Sequence, residues 1–157
     1  MAPRKTIGGG LIPAEEPATL GGIEATEHVF RSNATAHVRV KVRRGIQAAA
    51  KPLPDSLPSG DGFTPLRLVI NLQLLEGARP AAGSFNPRFE LRIRYTREDV
   101  AAAGSRDNLK LAYHYGGRWV PLSRAFEPDD PDDAASEGCA LALLSDWPDD
   151  PPIAIGR

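Results

Sequence analysis

The stretch Phe89-Glu90-Leu91-Arg92-Ile93-Arg94-Tyr95-Thr96 alternates without a fault. Phe89, Leu91, Ile93 and Tyr95 fall on one side; Glu90, Arg92, Arg94 and Thr96 fall on the other. A period of two is the pleat of a β-strand with one dry face and one wet face. The same pattern recurs in Ala36–Arg43, where Val38, Val40 and Val42 oppose Arg39, Lys41 and Arg43. It recurs again in Leu66–Leu75, with Leu66, Leu68, Ile70, Leu72 and Leu74 in one row. Leu109–Tyr115 alternates too, and Gly116-Gly117 then supplies a two-residue hairpin turn into Arg118–Leu122. Cys139–Leu144 and Ile153–Ile155 are predicted as the last short strands.

Punctuation agrees with this pattern. Fifteen Gly and fifteen Pro among 157 residues exclude a helical bundle. Residues 51–65 hold four prolines and two glycines and are predicted as a long surface loop. Residues 126–138 are predicted as a second, acidic loop. Arg97–Asn108 can form a short helical turn, with Thr96 as N-cap, Asp99 three residues on and Gly104 as the stop. The expectation is an all-β fold, an antiparallel β-sandwich of six to eight short strands with at most one short helical turn. A small closed barrel is the alternative. Residues 1–19, rich in Gly, Pro, Ala and Glu, are expected to form a flexible arm, and residues 20–157 a single domain. No apolar run is long enough to span a bilayer as a helix. The start, Met1-Ala2-Pro3-Arg4-Lys5-Thr6-Ile7 before three glycines, lacks the apolar core of a signal peptide, so a cytoplasmic location is expected.

The net charge of −1 conceals an asymmetry. Residues 28–124 carry 16 Lys and Arg against 7 Asp and Glu, a net of +9, whereas residues 125–157 carry 1 against 9, a net of −8. Such a chain can bind polyanions, or neutralise itself by folding its acidic end back. The outer rows Arg39, Lys41, Arg43 and Arg92, Arg94 form one basic patch if their strands are neighbours. A protein partner suits that patch, because Arg is favoured in interfaces. Nucleic acid suits it less, since Phe89, Tyr95, Tyr113 and Tyr115 are all expected to point inward and leave no stacking platform.

Other candidates have weaker grounds. His28, His37 and His114 are dispersed, and no carboxylate or further ligand is expected to converge on them. Cys139 opens an Ala/Leu strand, where a small buried residue is expected rather than a nucleophile. As the single cysteine, it forms no internal disulfide and no thiolate zinc site. Asp129-Asp130-Pro131-Asp132-Asp133 lacks the alternation and turn glycine of a calcium loop. No cofactor or metal is expected. Trp119 is expected in the core. Trp147, between Asp146 and Pro148, is expected at the surface, where it could stack on a sugar.

Residues Phe85-Asn86-Pro87, Phe89–Val100, Asn108–Tyr113 and Gly117-Arg118-Trp119-Val120-Pro121-Leu122 resemble bacterial ZU5-like β-sandwich domains. The carriers are a strand ending in Tyr-Thr, an acidic turn ending in Asp-Val and a hairpin closing on Trp-Val-Pro-Leu. The likeness is tight over about residues 85–122 and loose over 20–157. It implies a non-enzymatic structural or accessory interaction module, often placed beside other domains and on the cell surface. Some animal relatives of that family cleave themselves at a serine-flanked aromatic site. Ser145-Asp146-Trp147-Pro148 has no serine after the aromatic residue, so no self-cleavage is expected. The function expected is docking on a larger protein assembly through the basic sheet face and the N-terminal arm. Binding of a glycan or polyanion is the alternative.

Overall fold

The computed structural model describes residues 11–81 and 83–157. Two antiparallel sheets pack face to face. The first runs in the order β1(Ile12–Leu20), β2(Ile23–Ser32), β3(Thr35–Arg43), β7(Gly83–Tyr95), β11(Gly138–Trp147), β10(Ala125–Pro128). The second runs β4(Ile46–Lys51), β5(Pro65–Glu76), β12(Pro152–Gly156), β8(Lys110–Tyr115), β9(Arg118–Leu122), with the two-residue β6(Arg79–Pro80) also paired to β5. This is the expected all-β sandwich, built from more strands than the six to eight anticipated.

Most alternating segments fold as their pattern requires; in β5 the expected row holds over Ile70, Leu72 and Leu74, but a register shift opposite Ile153/Ala154 turns Leu68 to the outer side of the sheet and brings Val69 into the main core. Phe89, Leu91, Ile93, Tyr95, Val38, Val40 and Val42 are fully buried, and they face Ile70, Leu72, Leu74, Ile153 and Ile155 of the second sheet. Arg39 lies directly opposite Arg92, and Lys41 opposite Glu90, so β3 and β7 are neighbours.

Five strands escaped the sequence pattern. In β2 the inward row is Thr26, His28 and Phe30, which is too polar to advertise a core face. The His28 ring is nonetheless buried, with Nε2 3.0 Å from the Ile46 carbonyl. In β4 the run Ala48-Ala49-Ala50 carries no β propensity. The two-residue β6 and the four-residue β10 are too short to show a period. The proposed arm is also corrected. Residues 1–10 lie outside the described residues, but Ile12–Leu20 is an ordered strand, hydrogen-bonded to β2 across Gly21-Gly22. Those two glycines have φ of 58° and 80°, which a tight two-residue hairpin demands and which non-glycine residues resist.

The loop after β4 is also held more firmly than a Pro/Gly-rich connection suggests. Phe63 stacks on Trp119 at 4.7 Å between ring centres, and the Trp119 indole N–H donates to the Pro58 carbonyl at 2.7 Å. Phe63, Trp119, Ala112 and Ala154 form a second small core on the outer side of the second sheet. The ring of Phe63 rests on Gly156, where an added Cβ would come within 2.7 Å of Cε2.

α1(Arg97–Ala103) follows as anticipated, with a 3-10 turn over Arg106–Asn108. Thr96 Oγ1 accepts from the Asp99 N–H at 3.2 Å, and Asp99 Oδ2 accepts from the Thr96 N–H at 2.8 Å, a reciprocal cap. Asp99 also receives two 2.8 Å hydrogen bonds from the Arg67 guanidinium, whose Nη2 donates in addition to the Arg94 carbonyl. Burial pushes the Asp99 carboxyl up. The Arg67 and Thr96 hydrogen bonds outweigh it and hold the pKa below its ordinary 3.8. Asp99→Asn should therefore lower stability at neutral pH by about 1.5–3 kcal/mol, the range for hydrogen bonds to a charged group. A carboxylate with a depressed folded-state pKa stabilises above its unfolded pKa and loses that stabilisation as pH falls through its folded value. Urea melts at several pH values should show wild type and variant converging only below pH 3.8.

Candidate interaction surface

The outer face of the first sheet is built by the wet rows of β3 and β7, extended by β2 on one side and by β11 and β10 on the other. Cross-strand register places Glu16, Glu27, Lys41, Glu90 and Leu143 in one line, and Ala14, Val29, Arg39, Arg92 and Leu141 in the next. Arg39, Lys41, Arg92 and Arg94 do share this face. Arg43 starts from it but turns to Glu76 at the end of β5, 2.7 Å away.

None of these five stands as a bare cation. Arg39 holds Glu27 at 2.7 Å, and Lys41 lies 3.6 Å from Glu90. Arg92 is bound by Glu90 at 2.8 Å and Glu127 at 3.3 Å, and Arg94 by Glu137, with Asp129 at 3.8 Å. Burial pulls the Arg92 pKa down, but Glu90 and Glu127 outweigh it and raise it above its ordinary value. Each exposed pair is worth at most about 1 kcal/mol. Together they cancel the field that a polyanion would feel.

Half of this cancellation comes from the acidic end of the chain. β10 pairs with β11 along the edge, and Glu127, Asp129 and Glu137 reach back over β7. The region expected as one loop over 126–138 is thus most of the strand β10, a connection over 129–137 and the first residue of β11. Gly138 makes the close approach workable: a Cβ there would lie within 2.8 Å of Tyr95 Oη and collide with the Glu127 carbonyl. The remaining aspartates serve the turn. Asp130 Oδ1 accepts from the Asp132 N–H and Asp133 Oδ1 from the Ala135 N–H, while the buried Ser136 hydroxyl donates to the Asp130 carbonyl.

Trp147 is not at the surface. It is 1% exposed, its indole N–H donates to the Leu72 carbonyl, and Phe89 and Tyr113 pack on it at 5.9 and 5.0 Å. The cause is a bulge between Leu144 and Asp146. Ala140, Ala142 and Leu144 face inward, so simple alternation would turn Trp147 outward. One extra residue reverses the phase. Trp119 is buried, as expected. Tyr115 is not: it has the inward parity of Leu111 and Tyr113 but projects at the hairpin tip, 54% exposed.

The other candidates remain scattered. Burial, then Arg67 and Arg94, hold the His37 pKa below its ordinary 6.5. His114 lies on Trp119 at 4.8 Å. Cys139 sits on the outer face opposite Arg94. Burial pushes its thiol up and Arg94 only partly offsets this. Among the described residues, no three His, Cys, Asp or Glu side chains converge as metal ligands, and no helix is long and apolar enough to cross a membrane. Glu27, Glu90, Glu127 and Glu137, which set the character of the face, were not singled out from sequence. Only Glu90 carries a local signal, by alternating with Arg92.

Two outcomes are expected. Replacing Glu127 and Glu137 together by Gln should leave Arg92 with Glu90 alone and Arg94 with Asp129 alone, and raise the salt needed to elute the protein from heparin. Trp147→Ala should cost about 3–5 kcal/mol in a denaturant melt, the price of emptying an aromatic site in a core.

Neither a family model nor a curated protein nor a solved structure matches this chain.

Proposed function

We propose that this chain is a non-enzymatic structural or accessory module that docks on a larger protein assembly, with the outer face of the first sheet as a contact surface. The observation that carries this is the composition of that face. Cations and carboxylates alternate in fixed pairs beside Leu141 and the 45% exposed Leu143. A charge-balanced, rigid, Arg-bearing surface with apolar side chains among the ion pairs suits another protein surface. A polyanion would want the cations unpaired. The glycan reading has lost its aromatic platform, because Trp147 is core. The likeness of residues 85–122 to bacterial ZU5-like domains supports the same conclusion, since such domains usually act as structural or interaction modules. A cytoplasmic setting belongs to this proposal.

Purification from the native source under mild conditions, followed by measurement of mass in solution, tests it. A particle far above 16.8 kDa is expected. A monomer of that mass would sink the reading. Leu143→Glu, a surface change expected to move stability by no more than about 0.5 kcal/mol, should weaken retention in the particle.

A further inference from the structure

The outer side of the second sheet carries a cleft that the docking role does not use. Its floor follows from the pairing of β8 with β9. Leu111 and Tyr113 pack on the main core, so Lys110, Ala112 and His114 face out. Trp119 and Pro121 face out with them, opposite His114 and Ala112. Ala154 of β12 stands on the other side of Ala112. Ala112 and Ala154 put only methyl groups into this row, so the sheet is hollow there.

The wall of the cleft is the turn from Gly60 to Phe63. Asp61 and Gly62 have φ of 55° and 74°, the left-handed pair of a tight two-residue turn, and Gly60 and Phe63 exchange both backbone hydrogen bonds. Phe63 packs on Trp119 and so fixes the turn over the sheet. The space between turn and sheet measures about 270 Å³.

Charge is distributed unevenly around it. Lys110 Nζ donates to the Gly62 carbonyl at 3.1 Å and has two further N–H groups to give. Arg124 donates Nε to the Leu109 carbonyl and Nη2 to the Asp107 carbonyl, and its charge lies 4.9 Å from the centre of the Phe126 ring. These contacts hold the guanidinium still and leave Nη1 without a partner among the described residues. Neither cation forms an ion pair among the described residues, whereas Arg39, Lys41, Arg92 and Arg94 are all paired. The carboxylate on the wall, Asp61, is turned to the Trp119 N–H, which its Oδ2 accepts at 2.9 Å. Apolar surface comes from the exposed Pro121 and from the edges of Trp119 and Phe63.

We infer that this cleft binds a small organic carboxylate, one apolar ring or branched chain bearing a single acid group. The acid lies between Lys110 and Arg124 and takes charge-assisted hydrogen bonds from Nζ and Nη1. The apolar body lies against Pro121 and the ring edges. Pockets for drug-sized ligands start at about 300 Å³, so this one suits a body of one ring. A peptide suits it less, because the main chain offers few donors. The Phe63 N–H goes to Gly60, the Trp119 N–H goes to Asp61, and Pro121 has none. The inference is independent of the docking role, which uses the opposite side of the molecule.

Phenylacetate is the probe, titrated into the isotope-labelled full chain and followed by NMR. Phenylacetamide is its neutral counterpart and acetate its counterpart without a ring. The chain has two tryptophans and so two indole N–H signals. The Trp119 signal should move, and that of Trp147, buried in the main core, should not. Phenylacetate should bind at least tenfold more tightly than phenylacetamide or acetate. Lys110 is exposed, so Lys110→Gln should keep the fold and bring phenylacetate down to the level of the amide, while Lys110→Arg should retain most of the affinity. Equal binding of phenylacetate and either counterpart would overturn the inference, as would unchanged binding in folded Lys110→Gln or equal movement of both indole signals. Tighter binding of Gly-Gly-Phe with a free carboxyl end would assign the cleft to a chain terminus. A Trp119 signal that moves with protein concentration alone would assign it to a second copy. Either result overturns the small-molecule reading.

Discussion

Arg67 is the residue on which the assembly of the two sheets turns. It rises from β5 in the second sheet, grips both oxygens of Asp99 at the start of α1, and reaches the Arg94 carbonyl at the end of β7 in the first sheet. One guanidinium thus joins both layers and the only α-helix among the described residues. The same Asp99 caps that helix, so the crossover from β7 to β8 starts from a defined point. At the far end of the sandwich Trp147 plays the corresponding part, filling the core between Phe89 and Tyr113 and tying its indole to β5.

The charge asymmetry of the chain is resolved within the molecule. The acidic end does not trail in solvent; Glu127, Asp129 and Glu137 lie against Arg92 and Arg94. The positive rows that look like a polyanion site in the sequence become one half of a paired lattice. What is left is a firm surface of low net field.

Much of the fold was legible because it is written locally. The Phe89–Tyr95 alternation, the Thr96–Asp99 cap and the Gly116-Gly117 hairpin each depend on residues within a few positions of one another, and each formed as its pattern requires. The failures have equally definite causes. The pattern points Trp147 outward, but one bulge residue inverts the parity of everything after it. β2 and β4 leave no trace in the pattern because an inward histidine and a run of alanines carry no strand signature. β1 reads as an arm in the sequence because its prolines and glutamates suit a disordered segment as well as an edge strand.

The sequence by itself determined the class of fold, since a period of two repeated between Gly/Pro turns permits little besides antiparallel sheets. It also determined which strands have a dry face. Only the tertiary structure decided which charges meet and on which face each side chain ends. Ion pairing between residues dozens of positions apart depends on which strands become neighbours, and a single bulge sets the face of every residue that follows it.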